Sequence, residues 1–298
     1  MSRLPETEFC QVSVIVPVTL MAGMLDNFKS WSLTLDSKYH LIVVHDHGDD
    51  QTSNELQEFL SASLNCGYTF VEGKFGSPGK TRNAGLEHVN SDWLIFWDSD
   101  DLGYVSSLNL WLEENTKNQA DLIIFRYAKF DLATGSLTTS PKWDENLESN
   151  HFTWLMEPGL WRCLLRTQSI KKLRFSDLRM GEDQVYVLDI LAQDVQYEFS
   201  NALLYEYYVS RSGQLTGNKD AVIEILRARK EILARRYTRV GLARMAIEVM
   251  WIRLTLSALK RLDFGTKVRV VWSLILRNVF SSLTRKITFQ ILGKRNSK

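Results

Sequence analysis

Residues 93–101 read WLIFWDSDD, five apolar side chains followed at once by Asp98, Asp100 and Asp101 around Ser99. No other stretch narrows the possible folds so far. Five consecutive apolar residues, Trp93 to Trp97, suit a strand covered on both faces, as in the interior of a parallel sheet. Ligands of open α/β sheets gather just beyond the carboxyl ends of such strands, where these aspartates would stand. Carboxylate oxygens are the ligands that Mg²⁺ and Mn²⁺ prefer, and an ion held there can neutralise a departing diphosphate. An isolated D-x-D triplet is also ordinary turn chemistry after a strand. Its neighbours therefore decide its meaning.

Strand-like runs at 12–18, 40–45, 67–71, 93–97 and 121–127 alternate with helical patterns at 53–64, 80–89 and 105–118. Ser53 is a candidate N-cap for the first of these helices. Strands alternating with helices predict a mostly parallel sheet flanked by crossover helices, an α/β fold. No G-x-G-x-x-G follows the first strand, so the dinucleotide fingerprint is missing. Residues 132–150 are polar and turn-rich and read as a loop over the site. Residues 181–193 read as a helix, 197–209 as strands, and the pattern after Gly217 is helical.

Taken in order, these segments resemble the family 2 glycosyltransferases with the GT-A fold. That family begins with a strand ending in Val-Pro, here Val16-Pro17. A strand ending in acidic residues follows, here LIVVHD at 41–46. Then come a helix with Arg-Asn-x-Gly, here Arg82 to Gly85, the DSDD turn at 98–101, and a Glu-Asp pair, here Glu182-Asp183 after Gly181. Order and spacing agree over residues 12–215. The set is specific, although no single member is. Two positions depart from the family pattern. His45 replaces the first Asp of the usual DDGS turn, and Thr19 stands where many relatives carry Tyr.

The resemblance implies an inverting transfer of a sugar from a nucleotide-sugar donor, UDP-linked, to a glycan or lipid-linked glycan in surface polysaccharide synthesis. Asp100 and Asp98 would hold Mn²⁺ or Mg²⁺, with Asp101 in support. Donor contacts would come from Pro17, Thr19, Asp46, Lys80, Arg82, Asp98, Ser99 and Arg211. Lys80 and Arg82 lie near an expected helix start, where unpaired N–H groups and partial positive charge suit phosphate. Asp183, beside Glu182, would take the acceptor's proton, a task that needs a carboxylate within hydrogen-bond reach. Acids in a helix's first turn also simply favour the helix dipole. Trp161 could stack on an acceptor sugar or be ordinary core.

Two other functions compete. His45, His47 and Asp49 form an H-x-H-x-D run like the opening of a metal-dependent hydrolase, but Asp50 stands where that signature needs a second His. A catalytically silent relative that binds sugar nucleotides is the other rival.

Charge is unevenly spread. From Lys219 onward there are 19 Lys and Arg against 5 Asp and Glu, about +14, which leaves 17 against 30 before it, about −13. That asymmetry divides the chain into a catalytic domain, 1–218, and a basic helical extension, 219–298. Within the extension, Val268 to Leu292 carries apolar residues at helical spacing beside Arg269, Arg277, Arg285 and Lys286. Such a helix can lie on an anionic membrane surface, or it can pack on the catalytic domain or on a second copy of the chain. Nucleic acid is not expected, since no recognition motif accompanies the basic residues. Three cysteines far apart, Cys10, Cys66 and Cys163, fit a reducing compartment. With no signal-peptide core at the N-terminus and no apolar 18-residue window free of charge, the expectation is a cytoplasmic protein peripheral to the inner face of the membrane.

Overall fold

The first half of the sheet is built from strands rich in apolar residues. In the computed structural model, which describes residues 10–19, 25–46, 48–193, 195–210, 221–235 and 241–261, β1 (Cys10–Val18), β2 (Tyr39–Asp46), β3 (Gly67–Gly73) and β4 (Ser91–Phe96) all run parallel. Their order is β3-β2-β1-β4. Successive side chains of a strand point to opposite faces, and here both faces are covered. Ile15, Ile42, Val44, Leu94 and Phe96 enter one core layer. Val14, Val16, Leu41, Val43, Ile95 and Trp97 enter the other. This is why these strands read as continuous apolar runs rather than as alternating ones.

Helices α1 (Asp26–Ser32), α2 (Asp50–Ser63) and α3 (Pro78–Leu86) connect the parallel strands. α2 starts three residues before the expected Ser53. Asp49 is its N-cap, with Oδ1 accepting from the Thr52 N–H at 2.6 Å and Oδ2 accepting from the Thr52 hydroxyl at 2.8 Å. α3 also starts earlier than expected. Ser77 caps it and Pro78 occupies its first turn, where a missing N–H costs nothing. Gly85 of α3 lies so close to the sheet that a Cβ there would meet Ile15 Cγ2 at 2.8 Å. The glycine of the Arg-Asn-x-Gly segment thus sets how closely α3 sits on β1.

The second half is assembled from distant pieces. β8 (Cys163–Arg166) lies between β4 and β6 (Leu122–Asp131), antiparallel to both. β9 (Tyr197–Val209) runs parallel to β6, with register shifts around Arg126. β5 (Leu102–Gly103) closes the far edge and β7 (Ser136–Thr139) forms a hairpin with β6. The sheet of the described residues is therefore mixed but mostly parallel. The hairpin and the start of α5 (Leu147–Met156) fall inside 132–150, where a plain loop was expected. α4 (Val105–Glu114), the single-turn α6 (Thr167–Ile170) and α7 (Glu182–Leu191) complete this half.

Part of the basic extension belongs to the core. α8 (Ala221–Ala234) and α9 (Gly241–Arg261) bury Ile225, Ala228, Ile232, Ala246, Ile247, Met250, Trp251 and Leu254 in the same apolar layer as α7. An ion pair and a hydrogen bond fasten them: Arg235 to Asp189 at 3.0 Å, and the Ser176 hydroxyl donating to Glu231 at 2.7 Å. Among the described residues no helix is long and apolar enough to cross a membrane. The stretch Val268 to Leu292 lies outside the described residues.

Candidate active site

The chain leaves β4 still paired, with the Trp97 N–H donating to the Ile15 carbonyl at 3.1 Å. It then turns sharply over Asp98–Asp101, closed by an Asp101 N–H to Asp98 carbonyl contact of 3.4 Å. The three aspartates differ in surroundings. Asp98 and Asp100 are half-buried at the mouth. The Asp100 backbone carbonyl accepts from Asn27 at 3.1 Å. Asp101 is buried. Its carboxylate accepts from the Tyr208 N–H at 2.9 Å and from the Tyr205 hydroxyl at 2.8 Å. Burial, reinforced by Asp100 and Asp98, pushes its carboxyl well above the usual range. Asp101 therefore braces the turn against β9. The Tyr205 hydroxyl also accepts from the Asp98 N–H at 3.1 Å, so one phenol ties both ends of the turn. Ser99 is buried between them.

Arg82 brings the distant parts together. It lies buried on α3, with Nη2 donating to Asp98 Oδ1 at 2.9 Å and Nη1 donating to Glu182 Oε1 at 2.7 Å. Its guanidinium sits 5.6 Å from the centre of the Phe175 ring. Burial disfavours the charge, but Asp98, Glu182 and Asp183 outweigh it and raise the pKa. One side chain thus joins α3, the turn after β4 and the start of α7. Arg82 was expected to contact the donor. Its two terminal nitrogens donate to carboxylates, so it organises the acidic groups.

Glu182 is buried and Asp183 half-buried in the first turn of α7. Burial pushes the Glu182 carboxyl up; Arg82 pulls it back, and Asp183 adds to the rise. Burial raises Asp183 as well, against the pull of Arg82 and Arg253. The Asp183 carboxylate accepts from the Gln184 N–H at 2.8 Å. Gly181 just before them has φ +82°, a left-handed conformation that favours glycine, and a Cβ there would meet Ala228 Cβ of α8 at 2.8 Å. Backbone and packing both require this glycine.

The other expected residues have the following neighbours. Both carboxylate oxygens of Asp46 accept backbone N–H groups, from Phe75 at 2.7 Å and from Gly76 at 2.9 Å. Asp46 therefore holds the loop between β3 and α3. Lys80 is exposed and paired with Asp177 at 2.6 Å, which also accepts from Ser77 at 3.0 Å. Pro17 pairs in register with Val44 near the end of β1, and Thr19 lies exposed just beyond. Trp161 is stacked on Tyr205 at 4.7 Å and on Tyr207 at 5.6 Å, with Tyr127 edge-on at 4.8 Å. Arg211 lies outside the described residues. So does His47. His45 is fully buried with Nδ1 3.2 Å from Glu72, while Asp49 caps α2. The H-x-H-x-D run is thus spent on structure at both of its described positions.

Sequence reasoning did not mark Tyr205 and Tyr208, which hold the DSDD turn. The tyrosines had a legible signal, since YEYY alternates along a strand.

Oxygen donors at Asp98 and Asp100 suit Mg²⁺ or Mn²⁺. Among the described residues no group of three or more His, Cys, Asp or Glu side chains forms a ready-made metal cage. Mg²⁺ is commonly held by one or two carboxylates together with substrate phosphates, so the donor set fits an ion that arrives with a diphosphate.

A mixed sheet flanked by helices, with an acidic turn after β4 facing a Glu-Asp helix start, defines the GT-A class of glycosyltransferases. Residues 13–170 match the sequence profile of Glycosyl transferase family 2, and the chain belongs to that family. It is similar to a poly(ribitol-phosphate) beta-glucosyltransferase of Bacillus spizizenii, 22% identical over 212 residues. That alignment covers 68% of this chain and 33% of the relative, so the chain spans about a third of that protein. It is also similar to an uncharacterized glycosyltransferase of Haemophilus influenzae, 28% identical over 209 residues, covering 67% of this chain and 77% of the relative. S. aureus TarS 1-349 in complex with UDP-GlcNAc shares the fold, with TM-score 0.62 and 16% identity over 87% of this chain and 79% of that one. So does a mannosyltransferase from Pyrobaculum calidifontis in complex with GDP-Man and Mn2+, with TM-score 0.59 and 12% identity over 96% and 81% of the two chains.

Proposed function

We propose that this glycosyltransferase moves a sugar from a UDP-linked donor to a hydroxyl of a glycan or lipid-linked glycan, by a single inverting displacement. The observation that carries the reading is the Asp98–Arg82–Glu182 chain of ion pairs, which holds the DSDD turn and Asp183 around one space. Asp98 and Asp100 line its donor side. Asp183 lines the acceptor side, where it takes the proton of the attacking hydroxyl. The hydroxyl oxygen bonds to the anomeric carbon as the bond from that carbon to the diphosphate breaks. A raised pKa makes Asp183 a stronger base once it is ionised. Glu182 and Arg82 hold Asp183 in place. When bound at Asp98 and Asp100, Mg²⁺ or Mn²⁺ supplies charge neutralisation for the departing diphosphate. The relatives support this chemistry: one is named for glucosyl transfer to poly(ribitol-phosphate), and neighbours in fold carry UDP-GlcNAc or GDP-Man with Mn2+. Surface polysaccharide synthesis on the cytoplasmic membrane face is the setting we propose. Residues beyond 261 are its contact with anionic lipid, because α8 and α9 are occupied in the core.

A thermal-shift panel of UDP-, GDP- and CMP-sugars, each with and without Mn2+, tests the reading. A ligand of the native state raises the melting temperature by mass action. A UDP-sugar acting only with Mn2+ is the expected result. A panel in which no nucleotide sugar moves the transition refutes it.

A further inference from the structure

A cavity lies at the far end of β4 from the DSDD turn. It measures about 550 Å³ and sits between the end of α3, the first residues of β4 and α6, a size usual for small-molecule sites. Leu86, Val89, Leu94 and Ile170 give it an apolar wall. Arg166, Lys171 and Arg174 line it as well, against Glu87 and Asp92.

These cations stand out from the body that carries them. Residues 1–218 hold 17 Lys and Arg against 30 Asp and Glu, yet 5 of the 17, Arg166, Lys171, Lys172, Arg174 and Arg179, fall between 166 and 179, where Asp177 is the one acid. Crowded like charges repel one another, and the protein neutralises only some of these. Arg174 donates to Glu87 at 2.7 Å, so that pair cancels. Asp177 is held by Lys80. Lys171 is exposed and has no carboxylate partner among the described residues.

Arg166 is fixed without being used up. Its guanidinium lies 4.3 Å from the centre of the Trp93 ring, Nε donates to the Ala120 carbonyl at 3.1 Å, and Nη2 donates to the Asn118 carbonyl at 2.9 Å. Nη1 has no partner among the described residues and, unlike Arg82 Nε, is not closed off from solvent. A guanidinium already held in place loses little freedom when it binds an oxyanion, and Lys171 adds a charge on a flexible stem. With Arg174 and Glu87 cancelled, Arg166 and Lys171 outweigh the exposed Asp92. Two free cations suit a group of more than one negative charge, and a phosphate monoester carries about −1.5 to −2 at pH 7.

We infer that this cavity is a second ligand site, which takes a phosphate monoester whose oxygens meet Arg166 Nη1 and Lys171 and whose carbon body covers the apolar wall. A soluble metabolite and a lipid headgroup share that chemistry. The site is separate from the candidate active site and does not rest on the transferase reading.

Hydrogen exchange of the full chain tests it, read by mass spectrometry on peptides within 86–94 and 166–174. The probe is millimolar glycerol phosphate, with EDTA present so that no metal draws phosphate to the DSDD turn. A bound ligand suppresses local opening, so exchange in both segments should slow in the wild type. K171E removes no contact among the described residues and should need about tenfold more glycerol phosphate for equal protection, the scale of a hydrogen bond to a charged group. R166Q should act in the same direction; if it does not fold, K171E decides. Vesicles containing phosphatidic acid, against phosphatidylcholine alone, separate the sources. Protection by the vesicles and not by glycerol phosphate assigns a lipid headgroup, and protection by glycerol phosphate assigns a soluble ester. Protection by neither overturns the proposal. So does protection that K171E leaves unchanged, or protection no stronger at the cavity than elsewhere, which would mean loose attraction to the chain's other cations. None of these outcomes touches the transferase reading, which is tested by donor binding with Mn2+.

Discussion

The two halves of the sheet are held together by interactions of different range. β1 to β4 form a parallel set in which each strand follows the last through one connecting helix. β6, β8 and β9 enter the sheet out of chain order, and the side chains that serve the site bridge long separations. Arg82 and Glu182 are 100 residues apart, and Tyr205 and Asp101 are 104 apart. The first half can specify itself by local apolar runs. The second half needs the whole chain, α8 and α9 included, before Asp183 and Tyr205 have fixed positions. The first four strands therefore rest mostly on local order, and the placement of the DSDD turn and of Glu182-Asp183 on closure of distant contacts.

Removing everything after residue 218 should strike that difference hardest. α8 and α9 bury eight or more large or apolar side chains against α7 and its neighbours. At about 1.5–3 kcal/mol for each large one, their loss approaches or exceeds the whole stability of a domain, about 5–15 kcal/mol. The shortened chain should lose cooperative thermal unfolding. A sharp transition near the full chain's melting temperature would show that the second half stands without its last helices.

Asp183→Asn comes next. It should leave UDP-sugar affinity near wild type and lower turnover by roughly 10²-fold or more, the scale of a general base. A loss under tenfold would move attention to Glu182. The pH profile adds a check. Asp183 works as a base only when ionised, and burial raises its pKa. Turnover should therefore fall as pH drops, with its midpoint above the ordinary Asp value of about 3.9. A midpoint at or below that value contradicts the assignment.

Asp100→Ala probes the donor side. It should remove the Mn2+-dependent part of donor binding and leave the melting temperature of the ligand-free protein close to wild type, since Asp100 is half-buried at a turn. Equal donor affinity with and without Mn2+ in the wild type would end the case for an ion there.

Tyr205→Phe should give the smallest effect. It removes one oxygen that accepts from the Asp98 N–H and donates to Asp101, and leaves both groups without that partner. A cost of about 1–3 kcal/mol is expected in urea unfolding. A change of less than a few tenths would mean that the turn is held by β4 alone and not from the far half.

The contrast also explains what could be read from sequence. VSVIVPV, LIVVHD and WLIFW announced three strands because strands covered on both faces carry near-continuous apolar runs. The DSDD turn and the Glu-Asp pair were legible as motifs, and the structure brings both to Arg82. β8 was missed because four residues, Cys163–Arg166, gain strand form only from two neighbouring strands. The cap of α2 was misplaced because Asp49 and Ser53 are both good caps, and tertiary fit chose between them. Asp46 and Lys80 were expected at the donor from motif position; the protein partners they have, the Phe75 and Gly76 backbone and Asp177, come from loops whose course no local pattern encodes.

The antiparallel wedge of β8 has a consequence for the chain as it is being made. β4 pairs with β1 on one side and with β8 on the other. β1 already exists when Trp93 to Phe96 leave the ribosome, but β8 begins about 70 residues later. At synthesis rates of about 5–20 residues per second, one edge of this apolar strand stays bare for roughly 4–14 s. An exposed apolar edge is a template for pairing with another chain. The nascent protein is thus most vulnerable to aggregation after its first half has formed and before its second half can cover it, and a chaperone that shields β4 during those seconds would raise the yield of folded enzyme.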